Sequence, residues 1–256
     1  MTGARLTVGV VTPHTAAGPE VELPAMTSGR VDTVMSRTGP PPGVSRAPWQ
    51  IAVPAPAHAE LRASTTPAAI DGAAVTFRGR TLAAVAHAST TSGYVIGHRG
   101  EAALVERLSQ RFGVPAVASC AAAVAALRAH GVGRVQVVHP PWFDDEFDKL
   151  GDAYWRSQGF DAVVTNAGGL RADPAQVEPQ QVVEWVEQHI EDRTEAVFLA
   201  GNGFRAAGAV EELELRTDRL VVEANQALLW AVLASTGAGW DITGHGRLLQ
   251  ASTSTT

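Results

Sequence analysis

Short apolar runs recur along the chain, each followed by a polar or glycine-bearing turn and then by a segment of helical pattern. Leu6-Thr7-Val8-Gly9-Val10-Val11 reads as a buried strand closed by Thr12-Pro13-His14. A short helix is expected around Glu20 to Met26, and Arg30 to Ser36 alternates as a second strand. Leu82 to Ala86 is a buried strand that leads into His87-Ala88-Ser89-Thr90-Thr91-Ser92-Gly93. Glu195 to Leu199 is another, leading into Ala200-Gly201-Asn202-Gly203-Phe204-Arg205. Between them the pattern predicts an amphipathic helix over Glu101 to Phe112, stopped by Gly113, and a short strand at Val114 to Ala118. Ser119 is placed as the N-cap of an Ala-rich helix reaching His130, with Gly131 past its end.

Further along, Arg134 to His139 is a strand ended by Pro140-Pro141, Phe143 to Gln158 a helix, and Ala162 to Thr165 a strand. Helices follow at Pro179 to Glu191 and Val210 to Leu215, then a strand at Leu220 to Val222 and a helix at Asn225 to Ser235. The stretch 38–68 is rich in Pro, Ala and Gly, and Pro40, Pro41 and Pro42 interrupt regular structure. It reads as a surface excursion or lid, with a helical piece at Ala57 to Arg62.

Strands alternating with helices imply parallel sheets covered by helices on both faces, an α/β fold. A loose echo between two β-α-rich halves divides the chain into one lobe of residues 1–118 plus 224–256 and another of 119–223. In open α/β sheets ligands sit at the carboxyl ends of strands, so the two polar turns after residues 86 and 199 are expected to share one site.

Composition narrows the function classes. Hydrophobic residues make up 45% and charged residues 18%, enough for a sizeable core. A net charge of −6 with no basic run argues against nucleic-acid binding. The only lysine is Lys149, so a P-loop lysine is absent. Cys120 is the only cysteine, which excludes an intrachain disulfide. The start lacks the apolar stretch of a signal peptide, and no run is long enough to span a membrane. A soluble cytoplasmic protein is expected.

The order and spacing of several segments resemble the maleate isomerase and arylmalonate decarboxylase group of the aspartate/glutamate racemase superfamily. These are Val8-Gly9-Val10-Val11-Thr12-Pro13 with Glu20-Val21-Glu22-Leu23-Pro24, then Thr91-Ser92-Gly93-Tyr94-Val95-Ile96-Gly97 and Ala126-Leu127-Arg128-Ala129-His130-Gly131-Val132. Leu199-Ala200-Gly201-Asn202-Gly203-Phe204-Arg205, Asn225-Gln226-Ala227-Leu228-Leu229-Trp230 and Gly244-His245-Gly246-Arg247-Leu248 complete the set. The resemblance implies two Rossmann-like lobes with the active site in the cleft between them, cofactor-free chemistry on small carboxylic acids, and a homodimer. It also implies one or two catalytic cysteines at strand ends. Thr90 and Gly201 occupy those positions here, and Cys120 falls on neither.

The residues that remain suggest other chemistry. Thr90, Thr91 and Ser92 are placed to cradle a carboxylate or a developing enediolate at a helix start, the alternative being simple helix capping. Asn202, with Gly201 and Gly203 allowing close backbone approach, is a candidate donor to a substrate oxygen. His14, His87 and His139 all stand at strand ends, and His14 is the first candidate for acid–base work. No metal site is expected from them. Cys120, near a helix N-terminus, is a second proton-carrier candidate, since that position lowers a thiol pKa. Trp142 is assigned to an apolar wall of the site, and Asp144, Asp145, Glu146 and Asp148 to a solvated helix cap. Arg37 and Arg205 are candidate partners for a substrate carboxylate. The leading expectation is a cofactor-independent isomerase or lyase acting on a small carboxylic acid or carbonyl compound. Its rival is a small-molecule-binding or regulatory protein that has kept the cleft and lost catalysis.

Overall fold

A computed structural model describes residues 5–38, 58–171 and 173–250. Among these residues eight strands form two four-stranded sheets, and every strand pair is parallel. The first sheet holds β1 (Leu6–Thr12), β2 (Val31–Arg37), β3 (Ala84–His87) and β4 (Ala116–Ala118) in the order β2-β1-β3-β4. The second holds β5 (Arg134–His139), β6 (Asp161–Asn166), β7 (Ala196–Leu199) and β8 (Leu220–Glu223) in the order β6-β5-β7-β8. The second order repeats the first, strand for strand.

Alternation along each strand sends side chains to two cores per sheet. Val8, Val10, Ala84 and Ala86 face one side of the first sheet, while Val11 and Val85 face the other. In the second sheet Val135, Val137 and Phe198 face one core, and Val138, Val197 and Leu199 the opposite one. Burial on both faces explains why these strands read as continuous apolar runs.

Helices follow the strands as α1 (Pro19–Met26), α2 (His58–Ser64), α3 (Pro67–Thr76), α4 (Thr90–Phe112), α5 (Ser119–Ala129), α6 (Asp145–Ser157), α7 (Pro179–His189), α8 (Val210–Thr217), α9 (Ala224–Thr236) and α10 (Arg247–Gln250). Helices α5 and α9 occupy matching places in the two halves and pack on each other. Buried Ala123, Ala126, Ala224 and Ala227 keep their apposed faces small, so the backbones approach closely.

Three expectations are corrected. The helix placed at Glu101 begins at Thr90 and is broken at Gly97, where φ is 68° and ψ 171°, so a buried polar turn precedes the amphipathic part. Ser119 is the first residue of α5 rather than its cap; Ala118 stands at the cap position and makes no side-chain hydrogen bond. Of the segment read as a surface lid, residues 39–57 lie outside the described residues. Its remainder includes α2, whose Leu61 is fully buried and which packs on α4, so this part belongs to the core.

Candidate active site

Both sheets reverse direction of winding at their second and third strands in space, β1 with β3 and β5 with β7, and ligands favour the crevice at that reversal. The turn after β1 meets the turn after β7, where Gly18 and Ala16 approach Asn202 and Gly203. Backbone positions correspond between halves: Ala88 N–H donates to Val11 O at 2.9 Å, and Ala200 N–H donates to Val138 O at 2.9 Å. Ser89 and Gly201 therefore occupy equivalent places.

In the first half, Ser89 caps α4, its Oγ accepting the Ser92 N–H at 3.1 Å. The same Oγ lies 2.8 Å from His14 Nε2 and 3.2 Å from Thr91 Oγ1, and Thr91 Oγ1 is 3.3 Å from the same His14 nitrogen. His14 is half-buried, whereas Ser89, Thr90, Thr91 and Ser92 are buried. The Ser92 hydroxyl is buried with no hydrogen-bond partner, as is His87 Nε2. Burial, helped by the charge of nearby His14, pulls the His87 pKa down to about 3, so its ring is neutral. Arg37 is committed elsewhere: its Nε donates to His14 O at 3.0 Å, and its Nη2 pairs with Glu20.

In the second half, Gly201 has φ +91°, and a Cβ there would lie 3.0 Å from Pro140 Cγ. Only glycine takes that turn without strain. The Asn202 amide is engaged at both ends, Nδ2 donating to Asn225 Oδ1 at 2.8 Å and Oδ1 accepting from Ser119 Oγ at 3.0 Å. Asn225 Nδ2 in turn donates to Glu22 Oε2 at 2.6 Å and to Asn202 O at 2.9 Å. Glu22 also accepts the Ala207 N–H at 2.9 Å. Burial lifts the Glu22 pKa to about 7 against these hydrogen bonds and the nearby Arg205 charge. Glu223 caps α9, and burial with the Glu22 charge pushes its carboxyl well up. The two halves touch closely here: a Cβ on Gly18 would lie 1.8 Å from Asn202 O, and one on Gly203 would lie 3.2 Å from Ala16 Cβ.

His139 is fixed rather than available. Its Nδ1 lies 2.6 Å from Asp148 Oδ1, and its Nε2 lies 3.1 Å from Tyr94 OH, which also accepts from Trp155 Nε1 at 3.3 Å. Asp148 is thus a buried histidine's partner, correcting its assignment to a solvated cap; Asp144 alone caps α6, through the Glu146 and Phe147 N–H groups. Cys120 is fully buried, and its thiol donates to Thr90 O at 3.4 Å. Burial and the Glu101 carboxyl push the thiol pKa well up, so the activation expected from the helix N-terminus does not operate. Glu101 accepts the Cys120 N–H at 3.1 Å and the Tyr154 O–H at 2.6 Å. Trp142 is half-buried and stands edge-on to Phe204, with ring centroids 5.6 Å apart.

The structure brings together His14, Thr91 and Ser92 of the residues singled out from sequence. It adds Ser89, Ser119, Asn225 and Glu22, which sequence reasoning missed. Ser89 and Glu223 carried a readable signal, a polar residue three before the first committed helical turn or before a Gln in a capping box. Among the described residues no group of three or more His, Cys, Asp or Glu side chains is placed to hold a metal ion, and no helix is long and apolar enough to cross a membrane.

The sequence profile of the arylmalonate decarboxylase family matches residues 66–249. The chain belongs to that family. Curated proteins give no match to the sequence. Solved structures match it in fold. Unliganded arylmalonate decarboxylase superposes with a TM-score of 0.75 at 20% identity, covering 95% of this chain and 98% of that one. The maleate isomerase Iso from Pseudomonas putida S16 gives 0.80 at 20% identity, over 96% and 99%. A cysteine-to-serine mutant of Nocardia farcinica maleate cis-trans isomerase, with a covalently bound succinylcysteine intermediate, gives 0.76 at 22% identity, over 97% and 99%. The arylmalonate decarboxylase family and these structural neighbours are enzymes, isomerases and decarboxylases.

Proposed function

We propose that the chain is a cofactor-independent isomerase or lyase that moves a proton on a small carboxylic acid held between the two sheets. The observation that carries this reading is the approach of His14 Nε2 to Ser89 Oγ, 2.8 Å, at the polar start of α4. A half-buried imidazole beside buried hydroxyls has the geometry for acid–base work. Thr91 and the unpartnered Ser92 hydroxyl supply donors for a carboxylate or enediolate, and the first N–H groups of α4 add to them. Trp142 forms an apolar wall. Asn202 serves by holding its turn in place, because both ends of its amide are engaged within the protein.

The resemblance sets the family's cysteine positions at Thr90 and Gly201, and in this reading the reaction runs without a thiol at either end. Cys120 does not replace them, being buried and hydrogen-bonded to Thr90 O. His14 takes the proton-carrying role instead.

The test is proton NMR in D2O with maleate, substituted malonates, aspartate and glutamate. Isomerisation, decarboxylation or deuterium incorporation that His14→Ala abolishes supports the reading. A second reading, a binding protein without catalysis, is favoured by the lack of any side chain at Gly201 and by the buried thiol. Stabilisation of the fold by one of these acids with no chemical change would select it.

A further inference from the structure

We propose that Ser89 is a positioning residue that links Thr91 to His14 in a buried proton relay. The inference rests on the reading of His14 as the proton carrier. Thr91 Oγ1, Ser89 Oγ and His14 Nε2 form a triangle with sides of 3.2, 2.8 and 3.3 Å. Ser89 is 0% and Thr91 1% exposed, so bulk water does not reach the two hydroxyls.

Counting donors and acceptors shows what the triangle can do. A serine hydroxyl has one proton and two lone pairs. One Ser89 lone pair is taken by the Ser92 N–H. With Nε2 unprotonated, the Ser89 O–H donates to it and the Thr91 O–H donates to the remaining Ser89 lone pair. With Nε2 protonated, its N–H donates to Ser89 Oγ, and the Ser89 O–H donates to Thr91 Oγ1. Every group is satisfied in both states. What changes is Thr91, which offers a lone pair outward in the first state and an O–H in the second.

This switch matches the needs of proton abstraction next to a carboxylate. The substrate C–H bond breaks and its proton goes to Thr91 Oγ1. The Thr91 proton passes to Ser89 Oγ and the Ser89 proton to His14 Nε2, so no hydroxyl carries a net charge. The electron pair stays on the substrate as an enediolate. Thr91 then points its new O–H at that enediolate, stabilising it at the moment its charge appears. Running the shift backwards returns a proton to carbon. A threonine hydroxyl is far too weak a base to act alone, and the relay places the charge on imidazole instead.

Two neighbours of His14 supply no rival route. Arg37 is bound to the His14 carbonyl and to Glu20, and His87 is held neutral by burial.

Two measurements test the relay. First, deuterium exchange is followed in the acids named above, in H2O–D2O mixtures. The wild type should show a curved proton inventory, the mark of several protons in motion. Ser89→Ala should lower the exchange rate about 100-fold, in line with loss of a positioned proton path, at unchanged KM. Ser89→Thr, which keeps a capping hydroxyl, should restore much of the rate. Full activity of Ser89→Ala, or a linear inventory in the wild type, overturns the relay while leaving the functional reading intact. Second, the ring 15N signals of His14 are recorded without substrate. They should move in Ser89→Ala and return in Ser89→Thr. Unmoved signals overturn the relay whether or not any acid turns over, whereas absence of turnover by the wild type with signals that do move overturns the functional reading and the relay's part in it, leaving only the hydrogen-bonded triangle.

Discussion

The side-chain amides of Asn202 and Asn225 meet at 2.8 Å where the carboxyl ends of the two sheets come together. Each is buried, and each holds a further partner: Ser119 for Asn202 and Glu22 for Asn225. Residues from α1, α5, α9 and the turn after β7 are thereby joined in one chain of hydrogen bonds. Asn225→Ala takes the partner from Asn202 Nδ2 and from Glu22 Oε2 in the interior. Unpaired buried groups cost about 1–3 kcal/mol each, so equilibrium urea unfolding should show a loss of several kcal/mol. An unchanged midpoint would show that the chain of amides does not hold the halves together.

Glu22 makes stability depend on pH in an unusual direction. Its folded pKa stands at about 7 against an ordinary value of 4.5. The folded state therefore binds more protons than the unfolded state between these two values, and stability falls as pH rises through that window. The contribution is fully present below about 4.5 and gone above about 7. Glu22→Gln cannot titrate, so its urea midpoint should change less between pH 5 and 8 than that of the wild type.

Gly18 sits where no side chain fits. A Cβ would lie 1.8 Å from the Asn202 carbonyl oxygen, backbone against backbone. Gly18→Ala must push the loop before α1 away from the turn after β7. Overpacking of this severity costs about 3 kcal/mol or more, and thermal unfolding would register it as a clear drop in Tm.

Tyr94 ties the first half to the second through His139 Nε2 and Trp155 Nε1. Tyr94→Phe removes the hydroxyl that both nitrogens use. A destabilisation of about 1–3 kcal/mol is expected, because buried polar groups lose their partner while the ring packing survives.

Cys120 should behave as an inert thiol. It is fully buried, and its pKa is pushed well up. A disulfide reagent such as dithionitrobenzoate should react with it only on unfolding, and Cys120→Ser should retain proton exchange. Rapid native-state labelling would contradict the burial that removes it from the chemistry.

The sheets were legible because strands buried on both faces declare themselves as apolar runs, and all eight appear within a few residues of where the pattern puts them. The first turns of α4 were not. Thr90 to Ser92 are polar yet buried, so hydrophobic periodicity starts only after the break at Gly97. The candidate site was half legible. His14, Thr91 and Ser92 stand at strand ends that composition marks as turns. Their supports came from far along the chain, as with Asn225 and Glu22, 203 positions apart, and no local pattern announces such a pair. Asp148 illustrates the same limit: four acidic residues in a row of five suggested solvent, and only the packing of α6 against β6 and α4 turns one of them onto His139.

The repeated strand order has an asymmetric outcome. Ser89 and Gly201 hold equivalent places in the two halves, but one carries a hydroxyl beside an imidazole and the other carries no side chain. A planar enediolate lying between the two turns would meet the Thr91 hydroxyl on one face and a bare backbone turn on the other. Deuterium taken up from solvent would then enter from a single side, and the product would have one handedness. A frame built by repetition would in this way impose chirality on its product.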